Sequence, residues 1–243
     1  MTQDDFSEDE SIDLTQILHK ALRVYKGSFQ LFISLSLIYG IINEIISFIF
    51  GMASLGDRSL NLYKSVVQVL IAGWISIAMI YLCSRLHQRR QANLKDAFRW
   101  ARTKYWRYLA IYLAHLAVMG IGFIFFIFPG IYFVTIFIFA DILIVLEKIS
   151  FIDAFRISAQ LVRNYFWKVF FYIFVVIGVS LVPEIFYQMI VNMDPTLART
   201  IHRIISVFIM PLLMIAQVEL YYQIKKREAG HISWGEQING SIS

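Results

Sequence analysis

The chain has 243 residues, of which 58% are hydrophobic and only 16% charged. Soluble domains carry about 45–50% apolar and about 25% charged residues, so this chain has too little polar surface to cover a water-exposed fold, and lipid is its solvent over much of its length. The net charge of +5 is spread between apolar runs, which points to a bilayer with anionic lipids as partner and not to nucleic acid.

The N-terminal segment is acidic, with Asp4, Asp5, Glu8, Asp9, Glu10 and Asp13, the reverse of the basic start of a signal peptide. The first apolar run, beginning near Ser28, is therefore read as a retained span. Crossing a bilayer takes about 20 apolar residues. Runs of that kind lie at about 28–51, 65–84, 109–128, 131–147, 168–191 and 203–224. The third and fourth are separated by Pro129-Gly130, which predicts a tight hairpin turn, because proline removes a backbone donor and glycine tolerates a sharp reversal.

With the N-terminus inside, the inner segments hold Lys20, Arg23, Lys26, Arg85, Arg89, Arg90, Lys95, Arg99, Arg102, Lys104, Arg107, Lys148, Arg156, Arg163, Lys168, Lys225, Lys226 and Arg227. The outer loops keep only Arg58, Lys64, Arg199 and Arg203. Basic loops stay in the cytoplasm, so both termini are expected there. Tyr105, Trp106, Tyr108, Tyr165 and Trp167 stand where inner segments enter the bilayer, as an interfacial belt does.

An amphipathic segment precedes each pair of spans, at about 12–29, 92–108 and 151–169. Two of them share Asp-Ala-Phe-Arg, at Asp96–Arg99 and Asp153–Arg156. The expected fold class is an all-α, polytopic transmembrane bundle of six spans. They form three hairpins, each preceded by a cytoplasmic amphipathic helix that anchors it in the headgroup layer or docks a cytoplasmic protein. The divisions are an acidic tail and first amphipathic helix over 1–27, the membrane domain over 28–224, and a cytoplasmic polar tail over 225–243, with the acidic N-terminal tail and Arg227–Ser243 expected to be disordered.

The string Phe128-Pro129-Gly130-Ile131-Tyr132, then Val145-Leu146-Glu147, then Ser150-Phe151-Ile152-Asp153-Ala154-Phe155-Arg156-Ile157-Ser158, Leu161-Val162 and Asn164-Tyr165-Phe166-Trp167 resembles the YciC-like bacterial inner-membrane proteins. It is similar, too, to the membrane domain found in front of some glycerophosphodiester phosphodiesterases. The resemblance implies a helical protein of the bacterial inner membrane in an uncharacterised family, and it carries no catalytic role to any residue.

Ionisable residues inside spans are candidates for function. Asn43, Glu44 and Glu184 form an outer layer, and His115, Asp141, Gln217 and Glu219 an inner one. At ~1.5 Å rise per residue, His115, Asp141 and Glu219 lie roughly 7–11 Å from the inner interface, so they can share one level as a proton or cation relay. The competing reading gives each polar group one interhelical hydrogen bond. No lysine or arginine lies deep in a span to neutralise the acids. Pro183 and Pro211 are expected to kink the fifth and sixth spans. No phosphate loop, dinucleotide motif, metal spacing or serine-nucleophile motif occurs, so neither a cofactor nor an enzyme activity is expected. Two functions remain open. One is a non-catalytic scaffold or accessory subunit that holds a membrane or cytoplasmic protein. The other is a small transporter or lipid-handling permease with an acid-lined path.

Overall fold

A computed structural model describes residues 14–53, 58–125, 127–147 and 149–240, and every regular element among them is an α-helix. The acidic segment 1–13, Lys148 and residues 241–243 lie outside the described residues. In chain order the helices are α1 (Leu14–Gly27), α2 (Phe29–Ala53), α3 (Arg58–His87), α4 (Leu94–Phe125), α5 (Ile127–Ile136), α6 (Ala140–Leu146), α7 (Phe151–Arg163), α8 (Phe166–Ser180), α9 (Val182–Ile190) and α10 (Pro195–Gly240).

Among the described residues five stretches are long and apolar enough to cross a membrane: Phe29–Phe50, Leu60–His87, Pro129–Leu146, Phe166–Ile190 and Pro195–Glu228. The all-α architecture is thus compatible with a multi-pass membrane protein. Exposed Leu37, Ile41, Ile45 and Phe48 on α2 and Phe171, Phe174 and Ile177 on α8 give these helices apolar outer flanks. Trp106 and Trp167 are 76% and 75% exposed, as rings anchored at a bilayer surface would be. The expected third span, 109–128, is the second half of α4 and the start of α5. It is not separate from its amphipathic segment, because α4 runs unbroken from Leu94 to Phe125.

The start of each of three helices is legible in its cap. Asn93 Oδ1 accepts from Lys95 N at 3.0 Å before α4. Ser150 Oγ accepts from Asp153 N at 3.2 Å and donates to its carboxylate at 2.6 Å before α7. Asp194 Oδ1 accepts from Thr196 N and Leu197 N at 2.7 and 3.0 Å, with Pro195 opening α10. These side chains satisfy donors that the first helical turn leaves free. The two Asp-Ala-Phe-Arg strings are structural equivalents. In each the Asp and Arg pair at 3.7 Å (Asp96–Arg99, Asp153–Arg156), and Ala97 and Ala154 are fully buried. Ile17, Ala21 and Tyr25 give α1 a buried stripe of the same helical spacing.

Three expectations meet a different backbone. Pro129-Gly130 is not the reversal itself: α4 ends at Phe125, residue 126 is outside the described residues, and Pro129 sits in the first turn of α5, where no donor is lost. The Pro129–Leu146 span is two helices, broken at 137–139. The C-terminal segment, expected to be disordered, continues α10 as helix to Gly240, since extending an existing helix costs far less than starting one. Pro183 stands where α8 gives way to α9, and Pro211 is accommodated inside α10.

The core forms where α1, α3, α6 and α10 meet. Ile77, Ala78, Ile80 and Leu82 of α3 pack with Ile142–Val145 of α6 and with Val218, Leu220 and Tyr221 of α10, all buried. Ile17 and Ala21 close it from α1. Phe139 lies 5.8 Å from the Tyr221 ring.

Candidate functional site

The polar chemistry of the interior gathers around the break between α5 and α6. The helical ladder is interrupted at residues 137–139: Phe137 N–H still donates to Phe133 O at 3.1 Å, but Phe139 N–H and Ile138 C=O find side chains instead. Ser158 of α7, fully buried, donates to Ile136 O at 2.8 Å and accepts from Phe139 N at 3.2 Å. Gln217 of α10 donates to Ile138 O at 2.9 Å. No proline or glycine lies between Ile136 and Ala140, so the break is held by these tertiary partners and not by a local breaker. Asp141 follows in the first turn of α6, its Oδ1 accepting from Ile142 N at 2.9 Å, and it lies within electrostatic reach of Tyr108.

Just beyond Gln217 on α10, Glu219 is buried, with a lysine and a histidine beside its carboxylate. Lys20 Nζ of α1 lies 2.6 Å from Oε2, and His87 Nδ1 at the end of α3 lies 2.9 Å from Oε1. This geometry makes His87 Nδ1 the donor to the carboxylate, with Lys20 Nζ a neighbour 3.4 Å away. The His87 ring stacks on Tyr222 with centroids 4.0 Å apart and planes 8° from parallel. The Tyr222 hydroxyl meets Ser84 Oγ at 2.6 Å and accepts from Gln88 Nε2 at 3.2 Å.

A second hub is Glu147, just past the end of α6. Its carboxylate pairs with Lys225 and accepts from the Tyr221 hydroxyl at 3.1 Å, while its main-chain oxygen accepts from Lys104 Nζ at 3.4 Å. Trp100 Nε1 donates to Val145 O at 3.1 Å, beneath the Lys104 ammonium. Burial pushes the Glu147 carboxyl upward, but the bond and charge of Lys225, the Tyr221 hydroxyl and Lys104 together hold it below the ordinary carboxylate range.

Of the inner-layer residues, Gln217 and Glu219 join this belt. Among the described residues no hydrogen bond or ion pair links His115, Asp141 and Glu219 to one another, and His115 Nε2 is buried without a partner. The cations that meet these carboxylates come from outside the deep spans: Lys20 of α1 reaches Glu219, and Lys225 of α10 reaches Glu147. In the outer layer, Glu44 pairs with Arg203 at 2.5 Å. Glu184 accepts from Gln188 Nε2 at 2.8 Å and lies 3.8 Å from His202. Asn43 donates to Tyr39 O at 2.9 Å within its own helix. A cavity of about 260 Å³ lies between Glu184, Tyr187, Arg199, His202 and Arg203.

Sequence reasoning missed Lys20, His87, Ser158 and the pair Tyr221–Tyr222. One signal was present: Ser158 follows Ala154 by one turn on the small, buried face of α7. The belt binds and orients helices through fixed charge pairs. No group of three or more His, Cys, Asp or Glu side chains among the described residues is placed to hold a metal ion.

No curated protein and no solved structure is significantly similar to the chain. A family profile does match residues 91–221, from just before α4 to Tyr221. That stretch contains the broken helix, Ser158, Glu147, Gln217 and Glu219, and leaves out α1 with Lys20. The chain therefore belongs to the family described as a domain of unknown function, DUF7847.

Proposed function

We propose that this chain is a non-catalytic scaffold or accessory subunit of an inner-membrane assembly in a bacterium, with six spans and both termini in the cytoplasm. The observation that carries the scaffold reading is the pairing of two inner acids: buried Glu219 is held by Lys20 and His87, and half-buried Glu147 by Lys225 and Tyr221. Paired and hydrogen-bonded charges of this kind lock helices together, whereas a transport path keeps its polar groups open to a moving ligand. The six-span count takes the second half of α4 as a crossing. It is supported by Lys20, His87, Glu147 and Lys225 meeting at one end of the bundle, while Glu44 and Arg203 meet at the other. The likeness of residues 128–167 to the YciC-like proteins belongs to the same reading.

One observation favours the second reading, a small transporter or lipid-handling permease. The α5–α6 helix is discontinuous and sets Asp141 directly beyond its break, as substrate-binding helices of transporters are arranged. Gentle extraction from native membrane, followed by mass spectrometry of what copurifies, separates the two. A stoichiometric protein partner is the expected result. A lone protein that retains a defined small molecule, together with loss of cellular function in Asp141→Asn, would sink the scaffold reading.

A further inference from the structure

A groove of about 600 Å³ opens on the outside of the bundle between α4 and the α6–α7 junction. Trp106, Arg107 and Ala110 form one wall, Ser150 and Phe151 the other, and Ile144 is at its floor. The volume is that of a small-molecule site. Ala110 makes the space, since a small side chain there leaves a gap beside the Trp106 ring. Past Ala110, exposed Leu113 and Leu116 continue an apolar lane along α4, away from the groove.

Arg107 gives the groove its charge. It is exposed and has no ion pair or hydrogen bond among the described residues. Asp153, in the first turn of α7 beyond Phe151, is already engaged by Ser150 Oγ at 2.6 Å and Arg156 at 3.7 Å. The other arginine-lined cavity, around Glu184, differs on this point: Arg203 is taken by Glu44, and Arg199 Nε donates to Pro195 O at 3.0 Å. An unpaired guanidinium beside an exposed tryptophan, at the head of an apolar lane, matches the two ends of a membrane lipid.

We propose that this groove binds one anionic phospholipid of the bilayer, its phosphate on the Arg107 guanidinium and an acyl chain laid across Ala110 toward Leu113. This goes beyond the scaffold reading and does not depend on it; it requires only that the protein sits in a bilayer.

The test is native mass spectrometry of the full-length protein. It is released from detergent with phosphatidylglycerol and phosphatidylcholine of matched chains, and glycerol phosphate is added as a headgroup-only competitor. One phosphatidylglycerol should be retained over phosphatidylcholine by about tenfold: both carry the phosphate, but the choline ammonium of the zwitterionic lipid cancels the net negative charge that the Arg107 guanidinium otherwise meets. Arg107→Gln should remove that preference, Arg107→Lys should keep most of it, and Ala110→Phe should lower retention of both lipids. Both positions are exposed, so melting temperatures should not move. Equal phosphatidylglycerol retention by the wild type, Arg107→Gln and Ala110→Phe overturns the proposal. Displacement of the lipid by an equal concentration of glycerol phosphate overturns it too, and would mark a soluble-anion site instead.

Discussion

Glu219 shows how one buried carboxylate is made tolerable. Its partners arrive from two other helices, so removing either leaves a charge in the core that the other cannot fully compensate. Lys20→Met should destabilise the purified protein by about 2 kcal/mol, less than for a fully buried pair because Lys20 is 44% exposed. Adding Glu219→Gln should restore part of that loss, and a thermal double-mutant cycle measures the coupling. Two independent losses that simply add would remove the ion pair from the account. Glu147 makes a pH prediction. Its folded-state pKa is depressed, so the stabilisation is fully present above the ordinary carboxylate value of about 4.3 and is lost as pH falls through the lower folded value. The melting temperature should therefore be level from neutral pH to about 5 on this account and decline below it. Lys225→Met should shrink the acid-side decline, and an unchanged profile would count against the pair.

Among the elements, the α5–α6 break depends most on its neighbours. Ser158→Ala leaves Phe139 N–H and Ile136 C=O without their partner at a buried position. The expected cost is about 1–3 kcal/mol, with faster amide exchange confined to residues near 139. Global loosening without that local signature would mean that Ser158 acts through packing alone. The caps, by contrast, are written in the sequence itself. Asn93, Ser150 and Asp194 each stand immediately before the residue that opens a helix, and proline follows Asp194 directly. The break carries no such mark. Ile136, Phe137, Ile138 and Phe139 read as continuous apolar helix, and the serine and glutamine that hold the break come from 19 and 79 residues away.

At the scale of the whole molecule the question is how the bundle is threaded through the bilayer. Cys83, the native cysteine, is buried, so the protein offers little thiol background for labelling. Cysteines placed at Leu197 and at Arg227, near opposite ends of the Pro195–Glu228 stretch of α10, should react with an impermeant maleimide from opposite faces: position 197 in intact cells, position 227 only after the membrane is opened. Labelling of both positions in intact cells, or of neither, would break the six-span reading. Orientation and span number rest on charge counting, which is a property of loops against a bilayer.

Composition, apolar run length, caps and the repeated Asp-Ala-Phe-Arg were enough to determine a helical membrane-type chain and where several of its helices begin. Those features are local: each depends on side chains within a turn or two, or on an average over about 20 residues. What happens to each intramembrane acid was decided only by tertiary structure. Asp141 and Glu219 stand at depths that allowed them to meet His115, yet Glu219 turned to Lys20 and His87, from helices at the far end of the chain and 132 positions away. Depth along a helix axis says nothing of the direction a side chain faces around it. That direction follows from which helices pack together, and a single sequence holds no local record of it.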